Sequence, residues 1–181
     1  DVMGQDCQEM KALYDPDETV LDEELTRAMT PFSQKPGDVT ALRNRLQDVM
    51  WEDVGVMRDA DGLQRGLKRI AEIDDELSSV GVAADNLAFN LSWHDWLNLR
   101  SLIDMSMVIA KAALSRENSR GAHFREDFPD AGAMQESYFT LASGYGDAIS
   151  VTRAPVQFTI VKPGETLLGE DEAETLIKAA Q

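Results

Sequence analysis

The sequence predicts a mainly α fold: a three-helix, up-down-up antiparallel bundle followed by a small β-hairpin and an extended C-terminal tail. Three observations predict it. Between residues 38 and 121, apolar residues recur at three- and four-residue steps in three separate stretches. Each stretch opens on a capping residue and is followed by a glycine. Beyond residue 121 the pattern changes to short β-rich runs around a glycine-rich turn.

The first helix is expected from Asp38, an N-cap directly after Pro36-Gly37, to about Asp53, with Gly55 breaking it. Its stripe is Val39, Leu42, Leu46, Val49 and Met50. The second opens at Asp59 or Asp61, carries Leu63, Leu67, Ile70, Ile73 and Leu77 inward, and stops at Gly81 in the C′ role. On its outer face Arg65 and Arg69 can pair with Glu72 and Glu76 along the helix. The third is capped by Ser92, stapled by Leu91 and Trp96, and runs to Arg120, about 42 Å at 1.5 Å per residue. Trp93, Trp96, Leu97, Leu99, Leu102, Ile103, Met107, Ala110, Ala113 and Leu114 give it an apolar surface broad enough to pack on both neighbours.

The flanks read differently. Residues 1–37 form an acidic, partly helical lead-in, with two-turn helices over Gln5–Tyr14 and Asp22–Thr30 and a linker at Gln34–Gly37. After residue 121, Ser137–Ala142 and Ala148–Arg153 read as a hairpin, Val156–Val161 as a third strand, and Asp171–Ala180 as a short terminal helix. A hairpin alone is marginal in water, so it must lean on the helices. The division expected is therefore 1–37, 38–121 and 122–181.

Composition narrows the function. The 181 residues carry a net charge of −16, distributed as −7 over residues 1–38, −3 over 39–120 and −6 over 121–181. Such a surface repels nucleic-acid phosphate and anionic lipid. One cysteine, Cys7, excludes an internal disulfide and a cysteine metal cluster. No apolar run is long enough to span a membrane. The start, Asp1-Val2-Met3, has neither a basic nor an apolar leader region and no initiator methionine, so the chain is expected to be a piece of something longer.

No dinucleotide or phosphate-binding glycine motif is present, so no cofactor is expected in this chain, and Gly144-Tyr145-Gly146 is read as a turn. His94 and His123 lie at opposite ends of the predicted third helix, too far apart to share a metal. Ser119 and His123 lack the G-x-S-x-G setting of a hydrolase nucleophile. What stands out is the segment from Arg116 to Pro129, which gathers arginines, a histidine and acids around Gly121. Physically it reads as a helix C-terminus favoured by the cations Arg116 and Arg120, with an exit loop fixed by Arg125 and Asp127. Two further readings compete. One is an acidic helical adaptor for a basic partner. The other is a small enzyme using His123 with Arg120 and Arg125 on an anionic substrate.

Ser119-Arg120-Gly121-Ala122-His123, followed by Arg125 and Asp127, resembles the signature near the C-terminus of succinate dehydrogenase and fumarate reductase flavoprotein subunits. Leu42 to Trp51, Val54 to Arg58, Leu63 to Leu77 and Phe89 to Leu91 are similar, in order, to that family's helices and junctions, so the resemblance spans about residues 40–162. Asn118 departs from the family's usual glutamate. The related L-aspartate oxidases commonly have leucine where Ala122 stands. The resemblance implies a spectrin-repeat-like bundle that is catalytically silent by itself, in a cytoplasmic enzyme that can reach the membrane through partner subunits. It implies FAD in the parent protein, a flavin-binding domain of the same parent chain as partner, and room for an iron–sulfur subunit. It carries over Ser119, Arg120, Gly121, His123, Arg125 and Asp127 as an interdomain docking and ordering site, and no catalytic residue. Apolar surface cut away from such a neighbour is expected to drive self-association of the isolated chain.

Overall fold

The computed structural model describes residues 17–144 and 146–165, and these are mainly helical with two small strand pairs. Four helices follow one another: α1 Glu18–Met29, α2 Val39–Glu52, α3 Ala60–Ser78 and α4 Leu91–Ser115. Strands β1 (Met57–Arg58) and β2 (Phe124–Arg125) pair in parallel, while β3 (Tyr138–Ser143) and β4 (Ser150–Pro155) form an antiparallel hairpin. The proposed helices over Gln5–Tyr14 and Asp171–Ala180 lie outside the described residues.

One core is shared by three helices. Leu42, Leu46 and Val49 of α2 meet Leu63, Ile70, Ile73 and Leu77 of α3 and Trp96, Leu99, Ile103, Ala110 and Ala113 of α4. Val39, Met50, Leu67, Trp93, Leu97, Met107 and Leu114 pack partly buried around it. Leu102, expected inside, is 46% exposed, while Ser106 is buried. The inner face of α4 runs through 99, 103, 106, 110 and 113, and a small residue is what that face accepts at 106.

The helix starts follow local chemistry. Asp38 accepts from Ala41 N–H at 2.9 Å and Asp59 from Gly62 N–H at 2.7 Å, each satisfying an otherwise unbonded first-turn donor. Asp17 does the same for α1, which therefore begins earlier than Asp22. At α4 the cap is Asn90, not Ser92. Its carbonyl oxygen accepts from Trp93 N–H at 3.0 Å, and its amide donates to Ala84 O and Asn86 O at 3.0 and 2.9 Å. Those tertiary bonds fix Asn90 in a buried position and displace the proposed staple: Leu91 is 76% exposed.

Three other expectations change. Helix α3 ends at a Ser79 C-cap, so Gly81 is not its C′ residue. Gly81 instead bridges Pro36 in a strand-like contact, and a Cβ there would stand 2.3 Å from Gln34 O and 2.5 Å from Pro31 O. The Gln34–Gly37 stretch is thus pinned rather than a free linker, with Gly81 N–H donating to Lys35 O and Gly37 N–H to Gly81 O. The acid–base pairs of α3 form across helices rather than along it. Buried Asp53 takes Arg65 at 2.6 Å and Arg69 at 2.8 Å, and Glu52 takes Arg69 at 2.9 Å.

The hairpin forms in register from Tyr138↔Pro155 to Ser143↔Ser150. It leans on α4 through buried Ile149, whose carbonyl accepts from Lys111 Nζ, and through Arg153, which donates to Ser115 O. Val156 makes the last ladder-like bond, to Ser137 O, and residues 156–161 form no third strand. The lead-in is docked too: Trp93 Nε1–H donates to Ala28 O at 2.8 Å, and its ring meets Phe32 edge-on at 5.2 Å.

Candidate functional site

The segment singled out by sequence begins where α4 stops. The helix ends at Ser115, not Arg120, and its C-cap Arg116 is extended. The reason lies nine residues downstream. The Arg125 side chain, 1% exposed, inserts at the helix end, and its Nη1 donates to the carbonyls of Ala113, Leu114 and Arg116 at 3.1, 3.1 and 3.0 Å. These acceptors carry the negative end of the helix dipole. Its Nε and Nη2 bind the two oxygens of Asp127 at 2.7 and 2.6 Å, a bidentate pair. The cation that completes α4 is therefore Arg125 rather than Arg116 or Arg120.

Asp127 faces a second helix end. Its Oδ2 accepts from Ala60 N–H at 3.0 Å, in the first turn of α3. The guanidinium thus sits at a negative helix end and the carboxylate at a positive one, and their mutual bond ties α3 to α4. Arg125 holds the Asp127 carboxyl down at about 2, and Asp127 in turn raises the Arg125 guanidinium. The β1–β2 ladder completes the tie, with Met57 opposite Phe124, Arg58 opposite Arg125, and Glu126 N–H donating to Arg58 O.

The remaining residues order the loop. Ser119 Oγ accepts from Arg125 N–H at 2.8 Å and donates to Phe128 O at 2.8 Å. Arg120 reaches the carbonyls of Ala131 and Ala133 at 2.5 and 2.8 Å and Ser137 Oγ at 2.8 Å, holding the strand-free stretch before β3. Gly121, at φ +59°, takes the first central position of a tight turn closed by reciprocal bonds between Arg120 and His123, where a side chain would be strained.

His123 bridges two arginines. Its Nδ1 lies 3.4 Å from Arg58 Nη1, and its Nε2 lies 3.4 Å from Arg116 O. A guanidinium can only donate, so Nδ1 is the acceptor and Nε2–H the donor, which describes a neutral imidazole. Burial lowers its proton affinity, and Arg58, Arg116 and Arg125 lower it further against the opposing bond to Arg116 O. Arg58 and Arg116 are the residues sequence reasoning undervalued. The Nε of each is buried without a hydrogen-bond partner among the described residues.

All six predicted residues fall in one loop. Chemically the loop is an ordering device. Arg125 spends its donors on three carbonyls and Asp127, and Arg120 spends three of its five on two carbonyls and Ser137 Oγ, so both serve the loop's own structure. Among the described residues no cluster of His, Cys, Asp or Glu is arranged to hold a metal, and no helix is long and apolar enough to cross a membrane.

The fold and the loop define a mainly helical domain whose exit segment is locked by a buried arginine paired with a solvent-facing aspartate. The chain belongs to the fumarate reductase flavoprotein C-terminal family, whose model matches residues 43–167. It is similar to the fumarate reductase flavoprotein subunit of Haemophilus influenzae, 29% identical over 77% of this chain and 23% of that one. It is also similar to L-aspartate oxidase 1 of Ralstonia nicotianae, 38% identical over 48% of this chain and 15% of that one. Among solved structures, Mycobacterium smegmatis Sdh1 in complex with UQ1 aligns with a TM-score of 0.74 and 27% identity, over 94% of this chain and 29% of that one. The chain therefore spans less than a third of these proteins' length.

Proposed function

We propose that this chain is the structural and interface domain of an FAD-dependent oxidoreductase that interconverts succinate and fumarate, and that it performs no redox chemistry itself. In this reading residues 38–121 are a spectrin-like, up-down-up bundle, residues 1–37 a lead-in and residues 122–181 a tail. The loop carrying Ser119, Arg120, Gly121, His123, Arg125 and Asp127 docks against the flavin-binding domain of the same parent chain. An iron–sulfur subunit is a second partner.

The observation that carries the reading is the Arg125–Asp127 lock. It sets a buried arginine, paired with Asp127, beneath an exposed, hydrogen-bonded turn, Gly121-Ala122. An ordered, solvent-facing turn is what a docking contact requires, because ordering then costs nothing at the moment of contact. The family match supplies the flavoprotein, and the match to fumarate reductase extends further along the chain than the match to aspartate oxidase.

Hydrogen exchange at residues 120–123, compared between the isolated chain and the full parent, tests the docking. Protection at least tenfold stronger in the parent is expected; equal protection defeats the docking role. Assaying the parent on succinate, fumarate and L-aspartate tests the branch, and turnover of L-aspartate alone would reassign it. A stoichiometric flavin spectrum on the isolated chain would overturn the division of labour.

A further inference from the structure

We propose that Arg58, Arg116 and His123 form a receptor for a carboxylate side chain on the protein surface that covers the β1–β2 ladder. The proposal rests on the docking reading above and names the chemistry of the contact.

The first observation is one of charge. In a chain with 33 acidic and 17 basic residues, Arg58 and Arg116 form no ion pair among the described residues. The carboxylate of Asp127 does not compensate them, because Arg125 takes both of its oxygens. Arg58 and Arg125 are direct partners in the ladder, so two like charges stand side by side, and Arg125 together with burial lowers the Arg58 guanidinium's proton affinity. Among the described residues the Arg116 guanidinium finds only the neutral amide of Asn118, at 3.5 Å, the limit of a hydrogen bond. Two partly buried guanidiniums with a buried, unbonded Nε each are costly unless an anion completes them.

The second observation is the surrounding surface. His123 lies against Arg58 and the Arg116 carbonyl at 3.4 Å each, contacts long enough to give way to a better acceptor. The residues flanking the cluster are apolar and open: Val56 is 64% exposed and Met57 66%, with exposed Phe124 across the ladder from Met57. A cationic spot beside exposed apolar side chains suits a protein surface with an acidic residue near its apolar contact, rather than a free small anion. The chain spans less than a third of the relatives it matches, so the parent has ample further chain to supply that residue.

The test uses the full parent and the isolated chain, with ring-labelled histidine read by NMR and hydrogen exchange at residues 120–123. A carboxylate docked on the cluster stabilises the imidazolium, so His123 should titrate at least one pH unit higher in the parent than in the isolated chain. Arg58→Gln with Arg116→Gln should abolish that difference and reduce turn protection at least tenfold. Asn118→Asp, which is isosteric, places a carboxylate beside Arg116 from within. It should raise the His123 titration in the isolated chain and weaken turn protection in the parent, even if the double variant fails to fold. Protection of the turn in the parent with an unmoved His123 and unaffected variants would overturn this proposal while leaving docking intact. Absence of protection in the parent would overturn both.

Discussion

Arg125 concentrates more of the fold's polar chemistry than any other described side chain. It makes three bonds to the end of α4 and two to Asp127, and it lies 5.0 Å from the centre of the Phe128 ring. Lysine keeps the charge but not the planar fork, so Arg125→Lys leaves carbonyls and a carboxylate unbonded. It should cost about 3 kcal/mol in denaturant unfolding, because the buried and partly buried carbonyls at the end of α4 lose their charged donor. Asp127→Asn should cost less, on the order of 1 kcal/mol, because that carboxylate is 30% exposed and screened by solvent. The pH dependence follows. Asp127 titrates near 2 in the fold against 3.8 in the free chain, so its contribution is complete above about pH 4 and disappears as pH falls towards 2. His123 is held neutral, below its ordinary 6.5, so the unfolded chain takes up its proton first and stability declines as pH falls through the mid-6 range. Thermal unfolding followed between pH 7 and 2 should show both losses, the first absent in His123→Gln and the second in Asp127→Asn.

At the scale of elements, what the sequence revealed and what it hid separate by range. Asp38 and Asp59 were legible as caps because a cap acts on donors two or three residues away. The inward stripes of α2 and α3 were legible because periodicity is local. Asn90 was not chosen over Ser92, since its advantage comes from Ala84 and Asn86 carbonyls brought near by the loop. The end of α4 was misplaced because the group that closes it, Arg125, comes from the far side of a turn. The six residues of the candidate site were found together in sequence, yet their division of labour was not. A two-residue parallel ladder joining Met57 to Phe124 has no local signature, and so Arg58 went unnoticed beside His123. Gly81 shows the same limit: it reads as a helix stop and acts as a close approach. Gly81→Ala would drive a Cβ into two backbone carbonyls at 2.3 and 2.5 Å, which cannot rotate away. A loss of about 2–4 kcal/mol is expected, in the range of severe backbone or overpacking changes, with the 31–36 segment released to proteolysis first. A melting temperature within a degree of the parent chain would contradict the pinned geometry.

Across the whole molecule, repulsion and apolar exposure oppose each other. A net charge of −16 keeps copies apart, yet Trp51, Phe89 and Ile160 are 85%, 99% and 81% exposed, and Val20, Leu21 and Leu25 leave α1 without a buried residue. Under the proposed role these are side chains that the parent's other domains would cover, and in the isolated chain they are open to other copies. The balance can be tilted by salt. Raising ionic strength from 0.1 to 1 M shortens the screening length from about 10 to 3 Å, which removes long-range repulsion and leaves apolar attraction in place. Sedimentation equilibrium of the isolated chain should therefore show weight-average mass rising with salt. Trp51→Lys should reduce the rise by putting a charge in place of one of the most exposed apolar side chains. Mass that falls as salt is added would mean that ion pairs hold the copies together, and the exposed apolar face would lose its standing as a surface meant to be covered.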